Sequence, residues 1–236
     1  MKKTFLAVFF SLFIFSAAQA DLGLNVGVTA QVGSMETSAQ EASSDGTTEK
    51  SGTEEALFGT AGMFIEKDLS FLPGGLGDGI GSRIAIGYDN IAHELDLGTQ
   101  TNYRVASLGA SGATVVAGAN TVKATVTDFT SLYVTLHATD WLYLKAGSVT
   151  VDLDTRFTKN EVLQTSYGSN SHSLDGSVWG FGIQKTSDNG MFFRLEWNEY
   201  DIDGKKVAST GTDSKFTVTL NDTTGSTGRI SVGKSF

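Results

Sequence analysis

The chain has 236 residues, 40% of them hydrophobic and 18% charged, with 28 Gly, 1 Pro, no Cys and a formal net charge of −9. Without cysteine there is no disulfide framework, no thiolate metal site, no cysteine nucleophile and no lipidated cysteine at a processed N-terminus. The acidic balance argues against nucleic acid as the main partner, since phosphate binding needs a basic surface, and no apolar run reaches the roughly 18 residues of a membrane-spanning helix.

The first element is a leader. Lys2 and Lys3 precede an almost wholly apolar stretch, Phe5 to Phe15, broken only by Ser11, and Ala18-Gln19-Ala20 then offers a small-x-small cleavage pattern. As a helix that stretch would span roughly 16 Å, well short of a bilayer core of roughly 30 Å. The reading is a removable secretory signal over residues 1–20 and a mature domain over residues 21–236, more acidic still once Lys2 and Lys3 are gone.

From Leu22 the chain changes period. Leu22, Leu24, Val26, Val28, Ala30 and Val32 alternate with Gly23, Asn25, Gly27, Thr29 and Gln31, the two-residue repeat of a strand with one apolar and one polar face. Residues Ala56 to Lys67 form a strand whose facing stays open: either Leu57, Ala61, Met63 and Ile65 or Phe58 and Phe64 make its apolar face. Ile84, Ile86 and Tyr88 alternate with Arg83, Ala85, Gly87 and Asp89; Leu132, Val134, Leu136 and Ala138 alternate with Tyr133, Thr135 and His137, with Val122, Ala124 and Val126 in the same parity upstream. Between Leu142, Leu144, Ala146 and Val149, Val151, Leu153 the parity shifts by one, which a β-bulge near Gly147-Ser148 would explain. Trp179, Phe181 and Ile183, then Met191, Phe193, Leu195 and Trp197, make two further strands. Phe216, Val218 and Leu220 share parity with Ile230, Val232 and Phe236, which suggests one long final strand.

That makes eight strands, or ten if the segment Ile91 to Thr121 hides a hairpin around Val105 to Val116. Ala138 to Asp140 and Thr186 to Gly190 are tight turns. Glu36 to Glu55, Ile91 to Thr121, Arg156 to Gly176 and Ile202 to Ser214 read as long polar loops, all on the side opposite the N-terminus. Asp68 to Gly81, with the single Pro73 and a run of glycines, is long for the short-turn side.

Alternation by itself fits a membrane barrel with the apolar face outward and a soluble, lipocalin-like ligand binder with that face inward. Strands of about ten residues exceed the five or six usual in soluble sheets and suffice to cross a bilayer when tilted. The polar face carries Arg83, Lys123, Arg194, Glu196 and Arg229 as well as Gly, Ser and Thr, a composition suited to a polar lumen. Tyr88, Trp141, Trp179, Phe193, Trp197 and Phe236 stand near strand ends, where an interfacial girdle belongs.

The signal, the alternation and the ending Ile230-Ser231-Val232-Gly233-Lys234-Ser235-Phe236 resemble the small outer-membrane β-barrels of Gram-negative bacteria, of the outer-membrane protein A and opacity-protein type. The resemblance implies an all-β fold, an antiparallel up-and-down transmembrane barrel in the cell outer membrane. It implies a structural, adhesive or narrow-pore role, contact with outer-membrane lipid and lipopolysaccharide, and a terminal Phe236 presented to the β-barrel assembly machinery. The peptidoglycan-binding domain that some relatives carry is not seen in the sequence, and a monomer is expected.

The candidate site is a lumen charge cluster of Arg83, Lys145, Arg194, Glu196 and Arg229, structural or gating, joined by Asp152 if the bulge is real. His93, His137 and His172 have no metal-ligand spacing, so no metal and no cofactor is expected. Ser171-His172-Ser173 is placed in a long loop without a base and orienting partner in register, so no catalysis is expected. Gly74 to Gly81 lacks the Lys-Ser/Thr of a phosphate loop, and Asp201-Ile202-Asp203-Gly204 reads as a turn. The acidic first loop (Glu36, Glu41, Asp45, Glu49, Glu54, Glu55 against Lys50) is a candidate for divalent cations shared with lipopolysaccharide. The sequence thus predicts a non-catalytic outer-membrane barrel of structural or surface-interaction role, with a narrow porin as the first rival and a lipid-modifying barrel enzyme or a soluble binder behind it.

Overall fold

The computed structural model describes residues 22–43, 48–73, 79–91, 94–104, 107–108, 114–115, 118–158, 170–208 and 216–236. The expected signal at 1–20, Asp45, His93 and Gly74 to Gly77 lie outside the described residues.

Eight strands form a closed antiparallel ring: β1 (Leu24–Ser43), β2 (Thr48–Asp68), β3 (Ile84–Ile91), β4 (Gly118–His137), β5 (Leu142–Thr158), β6 (Asn170–Thr186), β7 (Met191–Ile202) and β8 (Thr223–Ser235). Each pairs with its neighbour in sequence and β8 pairs with β1. Following the register once round the ring through Val32, Gly228, Trp197, Phe181, Leu144, Leu136 and Ile84 leads from Gly59 back to β2 at Leu69. A shear of that size tilts the strands by roughly 35–45°.

Eight strands, not ten, make the wall. Leu95–Arg104 continues upward from β3 beside β4, and Ser107–Leu108 with Thr114–Val115 forms a separate two-stranded ribbon. Most of the expected polar loops are in fact strand. β1 and β2 run paired from Leu24 and Lys67 up to Ala42 and Thr48, so the acidic first loop is largely a ladder, with Glu36 opposite Glu55 and Glu41 opposite Lys50. Lys205–Ala208 and Phe216–Leu220 likewise prolong β7 and β8 above the ring.

Three registers depart from expectation, each for a physical reason. In β2, Leu57, Ala61 and Ile65 face outward while Phe64 and Glu66 are buried, which settles the open facing. In β5 the ladder runs unbroken through Gly147 and Ser148, so there is no bulge there. Val149 and Val151 shift parity because they point into an apolar interior, and the bulge falls instead on β4 at Thr127, between Val126 and Asp128. In β8, two residues of β1 (Thr37, Ser38) oppose three (Asn221, Asp222, Thr223), so Leu220 turns inward although it shares parity with the outward Ile230.

The faces follow one rule below a ring of aromatics and the opposite rule above it. Below, Ile86, Leu132, Val134, Leu144, Phe181, Phe193, Leu195, Ile230 and Val232 are exposed on the outer wall, and Tyr88, Trp179 (59% exposed) and Trp197 rim them. Above, Asp128, Asp152, Asp175 and Asp201 face outward, while Phe129, Val151, Leu174 and Ile202, each next to one of them in sequence, are buried inside. Such an inversion marks a lipid–water boundary: an apolar exterior is favourable only against hydrocarbon, and a polar exterior with an apolar core only against water. Replacing Leu195 by Arg, midway up the apolar wall, is expected to cost about 2–4 kcal/mol in vesicles. Asp201→Lys, above the girdle, should change little. Urea titrations of both variants in phospholipid vesicles measure the difference.

Candidate functional site

The lower half of the lumen holds a network of ionised side chains. β7 places Arg194 and Glu196 inward because Phe193, Leu195 and Trp197 take the lipid face; β8 places Arg229 and β5 places Lys145 by the same alternation. Arg194 grips Glu66 with two nitrogens, at 2.6 and 2.5 Å, and its Nε donates to Gln184 at 2.5 Å. Tyr133 donates to the same Glu66 at 3.0 Å. Arg229 bridges Asp89 and Glu196, the latter at 3.3 Å, and Lys145 lies 3.7 Å from Glu196 and 3.9 Å from Asp89. All six groups are buried, three acids against three bases. A buried charge is tolerated when it is paired and hydrogen-bonded; every member here has an opposite charge within 4 Å, while Asp89 Oδ1 and Arg229 Nε make no hydrogen bond.

Aromatic rings seal the network. The Arg194 guanidinium sits 4.7 Å from the Phe192 ring, 5.0 Å from Phe64 and 5.3 Å from Tyr143, and the Lys145 ammonium 3.9 Å from the Tyr133 ring. Each ring lies over an inward glycine of a neighbouring strand: Phe64 over Gly27, Tyr133 over Gly87, Tyr143 over Gly182 and Phe192 over Gly233. A Cβ at any of these glycines would stand inside the ring's contact distance, so the glycine-rich polar face is the socket for the lumen aromatics.

Above this layer the lumen turns apolar. Ile91, Phe129, Val149, Val151, Leu174, Val178, Tyr200 and Ile202 form one buried cluster, joined by Met35, Val126, Leu153 and Leu220. Phe129 and Tyr200 meet edge to face at 5.4 Å. Ionic below and apolar above, the interior is filled with side chains.

Of the residues expected to form the charge cluster, Lys145, Arg194, Glu196 and Arg229 come together. Arg83 does not: it closes an exposed short turn, Gly81–Arg83, at the lower rim and donates to the Ala138 carbonyl at 3.3 Å. Asp152 is not in the lumen either, since without a bulge at Gly147 it faces outward opposite Asp128. The two acids that matter most, Glu66 and Asp89, were not singled out. Asp89 stands on the polar face of β3, whereas Glu66 is hidden by the unsettled facing of β2. His137 lies inside at the lower end, its ring 5.3 Å from that of Tyr143. Ser171, His172 and Ser173 belong to strand β6 rather than to a loop, and alternation turns His172 away from its two serine neighbours. Phe236 ties the chain's end to its start: its N–H donates to the Leu24 carbonyl at 2.8 Å and its carbonyl accepts from the Leu24 N–H at 3.2 Å. Among the described residues no group of three or more His, Asp or Glu is arranged to hold a metal ion.

A closed ring with an apolar outer belt, an aromatic rim and an ion-paired lumen defines a transmembrane β-barrel, and the outer-membrane type is the class it fits. Among solved structures, the chain is similar to the outer membrane protease OmpT of Escherichia coli, at 7% identity and a TM-score of 0.47, covering 94% of this chain and 99% of that one. It is also similar to Ail, the attachment invasion locus protein of Yersinia pestis, at 10% identity and a TM-score of 0.30, covering 86% and 98%. It is similar as well to a FadL homologue of Pseudomonas aeruginosa, at 10% identity and a TM-score of 0.25, covering 93% of this chain and 66% of that one. Overlaps this shallow carry no argument about activity, and the fold rests on the register and surface described above. No protein-family model and no curated protein matches the sequence.

The network's energetics are testable through its tightest pair. Glu66→Gln leaves Arg194 buried without its counter-charge and is expected to destabilise the barrel by about 3–5 kcal/mol. Adding Arg194→Met should recover a large part of that loss, and a double-mutant cycle by urea unfolding in vesicles reads the coupling.

Proposed function

We propose that the protein is a non-catalytic outer-membrane barrel, closed to solutes, that acts through its structure in the bilayer and through the surface it lifts above it. The observation that carries this reading is the filled lumen. The six-charge layer and the apolar cluster above it occupy successive levels of the same bore, and both are buried. Eight strands enclose an interior that side chains just fill, so a barrel of this size conducts only if that filling moves.

The rest of the surface supports the reading. β1 and β2 climb well past the aromatic rim as a paired ribbon, and the prolongations of β7 and β8 rise with them, giving a broad exposed platform. Asp128, Asp152, Asp175 and Asp201 face outward on the adjacent strands β4 to β7, just above Trp179 and Trp197, at the level of lipopolysaccharide head groups. Lipopolysaccharide, through divalent cations, is the partner this acidic arc suits. On the same reading the leader exports the chain, Phe236 presents it to the β-barrel assembly machinery, and the barrel works as a monomer. The outward serines and inward histidine at 171–173 favour the non-catalytic reading, because they do not converge on one point.

Purified protein in planar bilayers at high salt is expected to give a closed record. Steady single-channel steps in the wild type would replace this reading with that of a narrow porin. An unheated sample should also migrate differently from a boiled one on a detergent gel, as folded membrane barrels do.

A further inference from the structure

The lipid-facing wall is unequal in height around the barrel. On β4 the outward apolar run is Leu132, Val134 and Leu136, and on β6 it is Trp179, Phe181 and Ile183. β3, β5 and β8 likewise give three outward apolar positions, and β7 gives four with Met191 at its foot. A strand that crosses a bilayer of ordinary thickness uses about 9–11 residues, hence about five outward positions. β1 and β2 do offer five, from Leu24 to Val32 and from Leu57 to Ile65. Phe71 adds an exposed ring at the lower end of β2, 5.0 Å from the Lys67 amine.

Polar groups fix both ends of the short runs. Lys185 follows below Ile183 and Ser177 above Trp179; Lys234 follows below Val232 and Ser226 above Gly228. Eight residues part each lysine from its serine. That is roughly 26 Å along the strand, and roughly 20 Å along the barrel axis at a tilt of about 40°. The register, which leads once round the ring from Gly59 to Leu69, brings Lys67, Lys185 and Lys234 close to one level.

The aromatic rims give a similar height. Trp141, 56% exposed, marks the lower rim, and its carbonyl accepts the Gln184 N–H at 2.7 Å, five residues down β6 from Trp179. Roughly 13 Å of axial height then separates the rims, against about 25 Å for the apolar band usual in outer-membrane barrels. Lipid gains nothing by reaching higher on these strands, because the faces invert at once: Val149 and Val178 are buried inside while Ser148 and Ser177 take the outer face.

An apolar wall shorter than the surrounding hydrocarbon thins the bilayer beside it. We infer that the flank from β3 to β8 holds a locally thinned bilayer and draws lipids with short acyl chains to itself, whereas β1 and β2 meet a bilayer of ordinary thickness. The occupant is set by height and polarity: acyl chains whose hydrocarbon ends between the level of Lys185 and Lys234 and that of Ser177 and Ser226. This thinning presupposes the transmembrane barrel and is independent of whether the bore conducts.

The test uses the folded protein in phosphatidylcholine vesicles, with Trp141, Trp179 and Trp197 as reporters on the outer wall. Brominated dioleoyl lipid quenches them, and a competing lipid that binds the wall restores the emission. Dimyristoleoyl lipid is expected to associate about twofold or more tightly than dioleoyl lipid; equal association, or a preference for the longer chain, would overturn the proposal. Ser148→Leu, Ser177→Leu and Ser226→Leu combined add a fourth outward apolar position to β5, β6 and β8 and should bring the ratio back toward one. An unchanged ratio in the folded triple variant would refute wall height as its cause. A second readout does not need that variant to fold. The chain has no cysteine, so a nitroxide on Ser177→Cys reports its own surroundings. In dioleoyl vesicles a water-soluble nickel chelate should relax it more than oxygen does, and the opposite order would place lipid above Trp179 and end the proposal. Loss of the heat-dependent gel shift would sink the membrane barrel itself, whereas a protein that keeps the shift but shows no chain-length preference sinks only the thinning.

Discussion

A polypeptide that crosses a bilayer must satisfy every backbone N–H and C=O within itself, because no water is there to do so. In this chain that requirement is met by one device, the return of β8 onto β1 through twelve register partners from Asn25↔Ser235 to Glu36↔Thr224. Closure fixes the shear, the shear fixes the tilt, and tilt with alternation decides which side chain meets lipid and which meets the lumen. The same requirement explains where closure ends. The β2–β3 ladder stops at Met63↔Asn90, about the height at which Trp179 and Trp197 mark the edge of the hydrocarbon and water again becomes available.

Putting the polar face inward creates a second requirement, since six charges are then removed from water. Their mutual attraction offsets desolvation only when geometry is good and no lone pair is wasted. The arrangement goes most of the way by sharing: Glu66 is held by Arg194 and Tyr133, while Asp89 and Glu196 divide Arg229 and Lys145 between them, leaving Asp89 Oδ1 and Arg229 Nε without a hydrogen bond. Contributions to the network come from β2, β3, β4, β5, β7 and β8, so it also selects register. A one-residue slip of any of these strands would carry a charge, or on β4 the Tyr133 hydroxyl, to the lipid face. The glycines opposite the four lumen rings make the same selection sterically, because a slip would replace each socket with a side chain.

Much of this was legible in the sequence where one face is purely apolar. Leu132, Val134, Leu195 and Ile230 identify lipid-facing strands by period alone, and Lys145, Arg194, Glu196 and Arg229 then fall inside by parity. The upper barrel was not legible for the opposite reason: there the inner face is apolar and the outer face polar, so Val149, Val151 and Leu153 alternate as cleanly as a lipid face would. Parity reports that a strand has two faces, not which solvent each one meets. Bulges compound the difficulty, because Thr127 and the Asn221–Thr223 region invert the faces without altering the alternation on either side. Glu66 was missed because β2 carries phenylalanine on its inner face, Phe64, where its neighbours carry glycine or polar residues. Arg83 was misplaced because it shares the parity of the inner face but stands one residue before the strand begins.

The two lumen layers resist passage by different physics, and that difference bears on what the ion pairs are for. An ionic layer is wettable: loosening one pair admits water, and an ion can follow along the remaining charges. An apolar constriction excludes ions because stripping their hydration is costly and nothing in the wall replaces it. Here the apolar cluster lies in series with the ionic one, above it in the same bore, so on the proposed closed-barrel reading rearranging Glu66 and Arg194 alone would not connect the two sides of the membrane. On that reading the ion pairs are the cost-limiting solution to a polar lumen and a lock on strand register, and closure would fall to Phe129, Val151, Tyr200 and Ile202, residues of a kind that a water-soluble protein would use as its core.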